Sequence, residues 1–364
     1  MTWSWQRPDW PEFSYNVSDF TPYEERFLVR AGEMLGAIRH VDGDGKDALR
    51  VEIIREEAVQ SSRIEGEFLD RESIQSSIRR HFGLQSDRAT PLLKEQGISD
   101  LLVDVFRSFD EPLSHELFRR WHGKLFRAQR SDAGSYRSHE EPMQIVSGAL
   151  HDPKVHYEAP PTSRVFAEMD ALIAQFVKAH EKKSVSPLVL AGISHLWFEL
   201  IHPFEDGNGR IGRALAEKSL SQSLGRPALI SLSTVIERKK ADYYTALASA
   251  NRTKDIGAWL GYFVPVVIEA QQLSLRKIDF VIRKGRLLDR CFEQLNERQK
   301  KVVLRMLREG PDGFEGGLSA ANFISITQGA KATVTRDLQD LVEKGVLSRT
   351  GEKRHTRYFL DFPE

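Results

Sequence analysis

The sequence predicts a mainly α protein with one small β-hairpin and, at its C-terminal end, a winged helix-turn-helix. Three observations carry this. Apolar residues recur at helical spacing over most of the chain from Glu24 to about residue 290. One stretch, 134–161, breaks that pattern with short extended pieces and a loop between them. From residue 285 the character changes again, to short helices followed by two strands.

Taken in order, residues 1 to about 25 are dense in rings: Trp3, Trp5, Trp10, Phe13, Tyr15, Phe20 and Tyr23. Pro8 and Pro11 rule out a regular helix at the start, because proline lacks the N–H donor and clashes with the preceding turn. An extended arm that packs its rings onto the body is expected. Leu28, Leu35 and Ile38 then repeat at helical spacing, as do Val51, Ile54 and Ala58 on the next segment, and Leu113, Leu117, Trp121 and Leu125 form one stripe further on. Pro187 opens a long apolar helix, 188–201. Between these, Gly134-Ser-Tyr-Arg, Met143-Gln-Ile-Val-Ser-Gly and Val155-His-Tyr-Glu read as extended pieces, so a hairpin is expected there. In the last segment, Asn296 caps a helix to about Arg308, and Pro311-Asp-Gly-Phe-Glu-Gly-Gly is a break. Helices over 318–326 and 332–344 follow, Gly345 ends the second, and strands at 346–349 and 356–360 make a wing.

Composition sets bounds. At 364 residues the chain is long enough for two or three domains. Its formal net charge is zero, so no global field draws it to nucleic acid or an anionic membrane. Its single cysteine, Cys291, excludes an internal disulfide and a cysteine metal cluster. The N-terminus has no apolar core of signal-peptide length, and the most apolar window, 259–268, is too short to span a bilayer. These features lead to the expectation of a cytoplasmic protein with no membrane partner.

One stretch decides most. His202 to Arg213 reads His-Pro-Phe-Glu-Asp-Gly-Asn-Gly-Arg-Ile-Gly-Arg. Each residue type suits part of a polyphosphate site. An imidazole accepts a proton near neutral pH. A carboxylate, Asp206, can hold a hard cation such as Mg²⁺. Gly207 and Gly209 let the backbone approach an anion closely. Arg210 and Arg213, three apart, share a helix face and can grip neighbouring phosphates with planar forks. Pro203 stops the preceding helix, and a new helix starting near Gly209 offers its orphan N–H groups to an anion.

The stretch closely resembles the signature of the Fic family, His-Pro-Phe-x-Asp/Glu-Gly-Asn-Gly-Arg-x-x-Arg, with every fixed position filled. The resemblance implies a Fic helical core and transfer of AMP from ATP to a hydroxyl side chain (Ser, Thr or Tyr) of a target protein, with release of pyrophosphate. By the same resemblance His202 is the base and Asp206 the Mg²⁺ ligand. Gly207, Asn208 and Gly209 cradle the phosphates, Arg210 holds the β-phosphate side, and Arg213 the γ-phosphate. The hairpin is then the flap beside the nucleotide, with Ile145, Val146, Ser147 and Gly148, and Tyr243, Tyr244 and Asn251 sit where the family contacts the nucleoside. His195 shares a helix face with His202 and is expected inside the bundle, outside the site.

Ser61-Ser-Arg-Ile-Glu65-Gly66 resembles the family's inhibitory motif, Ser/Thr-x-x-x-Glu-Gly/Asn. Its implied role is a brake in which Glu65 pairs with Arg213 and denies it to the γ-phosphate. The expected organisation is therefore an N-terminal arm and inhibitory-helix region at 1–90, a catalytic core at 91–284 and a winged helix-turn-helix at 285–364. The last carries seven Lys/Arg against six Asp/Glu from Ser319 onward, so DNA binding through Arg349, Lys353, Arg354, His355 and Arg357 and a protein-contact role both stay open. Many members are dimers, which puts a homodimer among the expectations. Removal of AMP, transfer of another phosphate-linked group, or nucleotide sensing by a transcriptional regulator are the alternative functions.

Overall fold

A computed structural model describes residues 2–39, 41, 43–85, 92–149, 152–314 and 316–363. Contacts divide the chain into two compact units: Met1–Glu33 with Arg50–Ser274, and Met34–Leu49 with Leu275–Glu364.

The elements run α1 (Thr21–Arg39), α2 (Gly43–Ile64), α3 (Arg71–His81), α4 (Leu93–Arg107), α5 (His115–Phe126), β1 (Gln144–Ala149), β2 (Asp152–Glu158), α6 (Thr162–Lys182), α7 (Pro187–Ile201), α8 (Asn208–Leu224), α9 (Leu232–Arg238), α10 (Lys240–Ala250) and α11 (Gly257–Cys291). After them come α12 (Glu297–Leu307), α13 (Ala320–Thr327), α14 (Lys331–Glu343), β3 (Leu347–Thr350) and β4 (Arg357–Leu360). The protein is mainly helical, as the sequence predicts.

In the first unit α7 is the central element. Pro187 sits in its first turn, where a missing N–H costs nothing, and nearly every residue after it is buried. A helix that is apolar all round must be enclosed by others. The stripe Leu113, Leu117, Trp121, Leu125 faces the same core, as do Val51, Ile54 and Ala58 of α2. The α1 stripe differs from expectation. Leu28 is exposed, and the buried face runs through Phe27 and Ala31, one residue earlier. The aromatic arm packs its rings on the body: Trp10 and Phe13 meet Trp197 edge-on, and the Trp5 indole N–H donates to the Glu158 carbonyl at 2.7 Å.

β1 and β2 form an antiparallel hairpin that pairs Gln144 with Glu158 and Val146 with Val155. The side chains at 147 and 148 lie outside the described residues. Tyr157 is buried and its hydroxyl donates to the Leu200 carbonyl at 2.6 Å, tying the hairpin to the last turn of α7. Gly134–Arg137, expected as an extended strand piece, pairs with no strand among the described residues. Its ends are held instead by His122, whose Nδ1 accepts the Gly134 N–H at 2.9 Å, and by the chain around His202.

In the second unit Asn296 and Gln299 close a capping box on α12, and Ser319 and Asn322 close one on α13. That cap makes α13 start after Leu318, which instead pairs with Tyr358. Phe323, Val334, Leu338 and Val346 are in its core. Asp337 of α14 is turned inward and accepts from Asn296 and Arg298 at 2.9 and 2.8 Å. β3 and β4 pair antiparallel across a turn holding a short 3₁₀ segment, Lys353–His355. The Arg354 side chain lies outside the described residues.

Candidate active site

α7 ends on His202, whose backbone is left-handed at φ 50°, ψ 59°. This turn carries the chain off the helix axis into Pro203, which keeps the residue before it from continuing the right-handed helix. The imidazole is half-buried, and its Nδ1 lies 3.3 Å from the Glu199 carbonyl. A proton held there leaves the Nε2 lone pair free. Burial pushes the His202 pKa down to about 4, helped by the charge of Arg137 and opposed by the Glu199 carbonyl. The imidazole is therefore neutral, and able to take a proton, at pH 7.

The loop after it is fixed from inside. Phe204 is fully buried and stacks on His122, with centroids 4.2 Å apart. Asn208 closes the loop: its Oδ1 accepts the Phe204 N–H at 3.0 Å and its Nδ2 donates to the Phe204 carbonyl at 2.8 Å. Its side chain is thus a brace for the loop, and what it can offer a phosphate is its backbone N–H. Gly207, at φ 80°, makes the left-handed entry to α8 that a side chain would strain. Asp206 is more than half exposed. It accepts the Gly207 N–H at 2.6 Å and lies 3.4 Å from Arg210 and 3.7 Å from Arg130. A lone open carboxylate at the start of a helix suits a cation that keeps waters and phosphate oxygens as its other ligands.

Arg210 and Arg213 project from the first turns of α8, and both are buried. Arg213 is held from α2: its Nε donates to Ser61 Oγ at 3.0 Å, and its Nη2 to the Ser61 carbonyl and to Glu65 Oε1, both at 2.8 Å. Burial opposes the Arg213 charge, but its neighbours, Glu65 foremost with Tyr243 and Glu199, together more than offset it and hold the guanidinium above its ordinary pKa. Gly209 permits this. A Cβ there would run into the Glu65 carboxylate. Gly66, at φ 83°, ends the segment and turns the chain. That turn brings a second acid into place, one the sequence reading missed. Glu67 Oε2 lies 2.6 Å from Arg210 Nη1, and Glu67 Oε1 accepts from Lys94 at 3.0 Å. The turn between α2 and α3 therefore supplies a carboxylate to each signature arginine.

The interior behind this cluster is uncharged. His195 is fully buried, hydrogen-bonded to the Tyr243 hydroxyl at 2.9 Å, and held neutral by burial, which lowers its pKa to about 3. Glu199 is raised to about 8 by burial and by Glu65, so it carries its proton at neutral pH. Tyr243, expected at the nucleoside, is instead a core residue: it is 1% exposed and its hydroxyl is taken by His195. Asn251 is also buried, and its amide N–H donates to the His156 carbonyl at 3.3 Å, behind the hairpin. Tyr244 is exposed, with its hydroxyl 3.5 Å from the Ile64 carbonyl. Ile145 and Val146 are exposed on β1. Among the described residues no group of three or more His, Cys, Asp or Glu could hold a metal by itself.

Residues 112–220 match the model of the Fic/DOC family. The chain carries a Fic/DOC domain. Ahead of it, residues 3–84 match a domain of unknown function, DUF4172. Part of the chain is similar to the protein adenylyltransferases fic-1 of Caenorhabditis elegans, 32% identical over 79 residues, and of Caenorhabditis briggsae, 35% over 68 residues. These matches cover 22% and 19% of this chain but span only 15% and 12% of the relatives' own lengths. The fold resembles a Fic family protein from Desulfovibrio desulfuricans, with a TM-score of 0.55 at 22% identity over 95% of this chain and 97% of that one. It also resembles Fic-1 of C. elegans (aa134–508), with a TM-score of 0.53 at 18% identity over 74% of this chain and 76% of that one. Among the described residues no helix is long and apolar enough to cross a membrane.

Proposed function

We propose that the Fic domain transfers AMP from ATP to a hydroxyl side chain of a target protein, and that the α2 segment of the same chain holds it off. The observation that carries this reading is a convergence. A neutral imidazole, the open start of a helix and two buried arginines meet at one place, and carboxylates from the α2–α3 turn occupy both arginines. The partial matches to proteins named adenylyltransferases support the chemistry.

In this reading His202 Nε2 takes the proton from the target hydroxyl as its oxygen bonds to the α-phosphorus. The bond from that phosphorus to the β-phosphate oxygen breaks, and pyrophosphate leaves with the electron pair. The N–H groups of Asn208 and Gly209, at the positive end of α8, and the Arg210 fork face the developing charge. Arg213 takes the γ-phosphate once Glu65 gives it up. Mg²⁺ on Asp206 would neutralise phosphate charge. The exposed β1 residues Ile145 and Val146, with Ser147 and Gly148 after them, line up the target segment. While Glu65 pairs with Arg213, the γ-phosphate has no partner there and ATP sits unproductively.

Incubation of the purified chain with labelled ATP, Mg²⁺ and a cell lysate tests this. Label on the α-phosphate is expected to enter protein, and label on the γ-phosphate is not. Incorporation from the γ-position instead would overturn AMP transfer in favour of phosphoryl transfer.

A further inference from the structure

Arg137 lies outside the signature, in the Gly134–Arg137 segment that precedes the hairpin, and is 3% exposed. Its Nε donates to the His202 carbonyl at 2.9 Å and its Nη2 reaches the Ile201 carbonyl at 3.5 Å. Its own backbone N–H donates to the Pro203 carbonyl at 2.9 Å. Three consecutive carbonyls, at the point where α7 turns into the signature loop, therefore end on one residue. The rest of the fork goes to the root of the hairpin: Nη1 to Thr162 Oγ1 at 2.8 Å, and Nη2 to the Pro160 carbonyl at 2.5 Å. The Thr162 hydroxyl in turn donates a hydrogen bond to the His139 carbonyl at 2.6 Å.

Two features make this more than packing. Among the described residues no carboxylate hydrogen-bonds to Arg137; its guanidinium is met by carbonyl oxygens, two of them at the negative end of α7, while the Glu205 charge acts on it from farther away. His202 also holds a left-handed backbone that a non-glycine residue adopts only when its surroundings enforce it. The hydrogen bonds from Arg137 fall on the carbonyls of that residue and of its two neighbours, and so supply the enforcement.

We propose that Arg137 is a positioning residue that fixes the His202 backbone and registers it against the root of the flap, so that base and target side chain are set by one guanidinium. This rests on the AMP-transfer reading above. A lysine keeps the charge but cannot span a planar array of acceptors. A misplacement of about 1 Å in a catalytic group costs about a hundredfold in rate.

The test uses Arg137→Lys and Arg137→Met in a Glu65→Gly background, with kcat, KM for ATP, direct ADP affinity and thermal midpoint measured for each. The expected result is a kcat about a hundredfold lower in both, with KM and ADP affinity within about twofold of the parent. Arg137→Lys decides the matter if Arg137→Met does not fold. An unchanged kcat in folded Arg137→Lys, or kcat and ADP affinity falling together, would overturn the proposal. If the Glu65→Gly parent itself incorporates no label, the AMP-transfer reading has failed, and the imidazole NMR signals of His202, assigned by their loss in His202→Ala, decide positioning alone. Shifted or broadened signals in Arg137→Lys support it, and unchanged ones overturn it.

Discussion

Glu67 Oε2 meets Arg210 Nη1 at 2.6 Å although 143 positions separate the two residues, and its other oxygen takes Lys94 at 3.0 Å. Arg210 is buried and one of its terminal nitrogens faces this carboxylate, so Glu67 competes with an incoming phosphate for that nitrogen. Glu67 and Glu65 lie on either side of Gly66, which places one acid on each signature arginine.

Replacing Glu67 should therefore tighten nucleotide binding without touching the Glu65 pair. Glu67→Gln removes the competing charge and frees Lys94 as well. ADP, which lacks a γ-phosphate, should bind about three- to tenfold tighter, since a partly exposed ion pair is worth about 1 kcal/mol. Calorimetric titration checks this, and unchanged ADP affinity in a folded variant would contradict it.

His202 should show its environment in a pH profile. The group is lowered to about 4, so the neutral, proton-accepting form persists well below the ordinary histidine range. In a Glu65→Gly background kcat/KM for AMP transfer should stay flat from pH 8 down to about 5 and fall only below that. A fall centred near 6.5 would show an ordinary solvated histidine. His202→Ala should lower transfer by at least about a hundredfold and leave ADP affinity within about twofold.

Glu217 makes a prediction about stability. It is half-buried one turn beyond Arg213 on α8, with one carboxylate oxygen enclosed, and desolvation together with the nearby Glu57 raises it from 4.5 to about 8. A folded pKa above the unfolded one stabilises fully below pH 4.5, and the contribution is lost as pH rises through 8. Glu217→Gln, uncharged at every pH, should escape that loss. The stability difference, variant minus wild type, should grow by about 1–3 kcal/mol between pH 5 and pH 9 in urea unfolding. Parallel curves would contradict the buried-acid account.

The candidate site was legible where its residues are contiguous in sequence. His202 to Arg213 carries an imidazole, a carboxylate, glycines and arginines in one run, and a glycine after Glu65 marks a helix end. Glu67 was not legible, because an acid just past a helix-stopping glycine looks the same whether it meets solvent or an arginine far along the chain. Arg137 was invisible for another reason: it binds carbonyls, and carbonyls have no sequence signature. Tyr243 and Tyr244 are neighbours on α10, yet one points to His195 and the other to solvent, a difference set by the angular step of a helix and not by residue type. In α1, Phe27, Leu28 and Ala31 offer two overlapping stripes, and only packing chooses the one through Phe27 and Ala31. Mainly helical content was legible from periodicity, because long amphipathic segments repeat the same signal many times.

The central claim is that Glu65 restrains a working transferase by holding Arg213, and one measurement addresses it directly. Incorporation of α-labelled AMP is compared for wild type, Glu65→Gly, and Glu65→Gly with Arg213→Ala. With Glu65 gone, the Ser61 contacts at 2.8 and 3.0 Å still orient Arg213, and its freed edge can take the γ-phosphate. Incorporation is expected at least about tenfold above wild type in the single variant, the scale of a charge-assisted hydrogen bond, with that gain lost in the double variant. Equal or lower incorporation by a folded Glu65→Gly protein would contradict it.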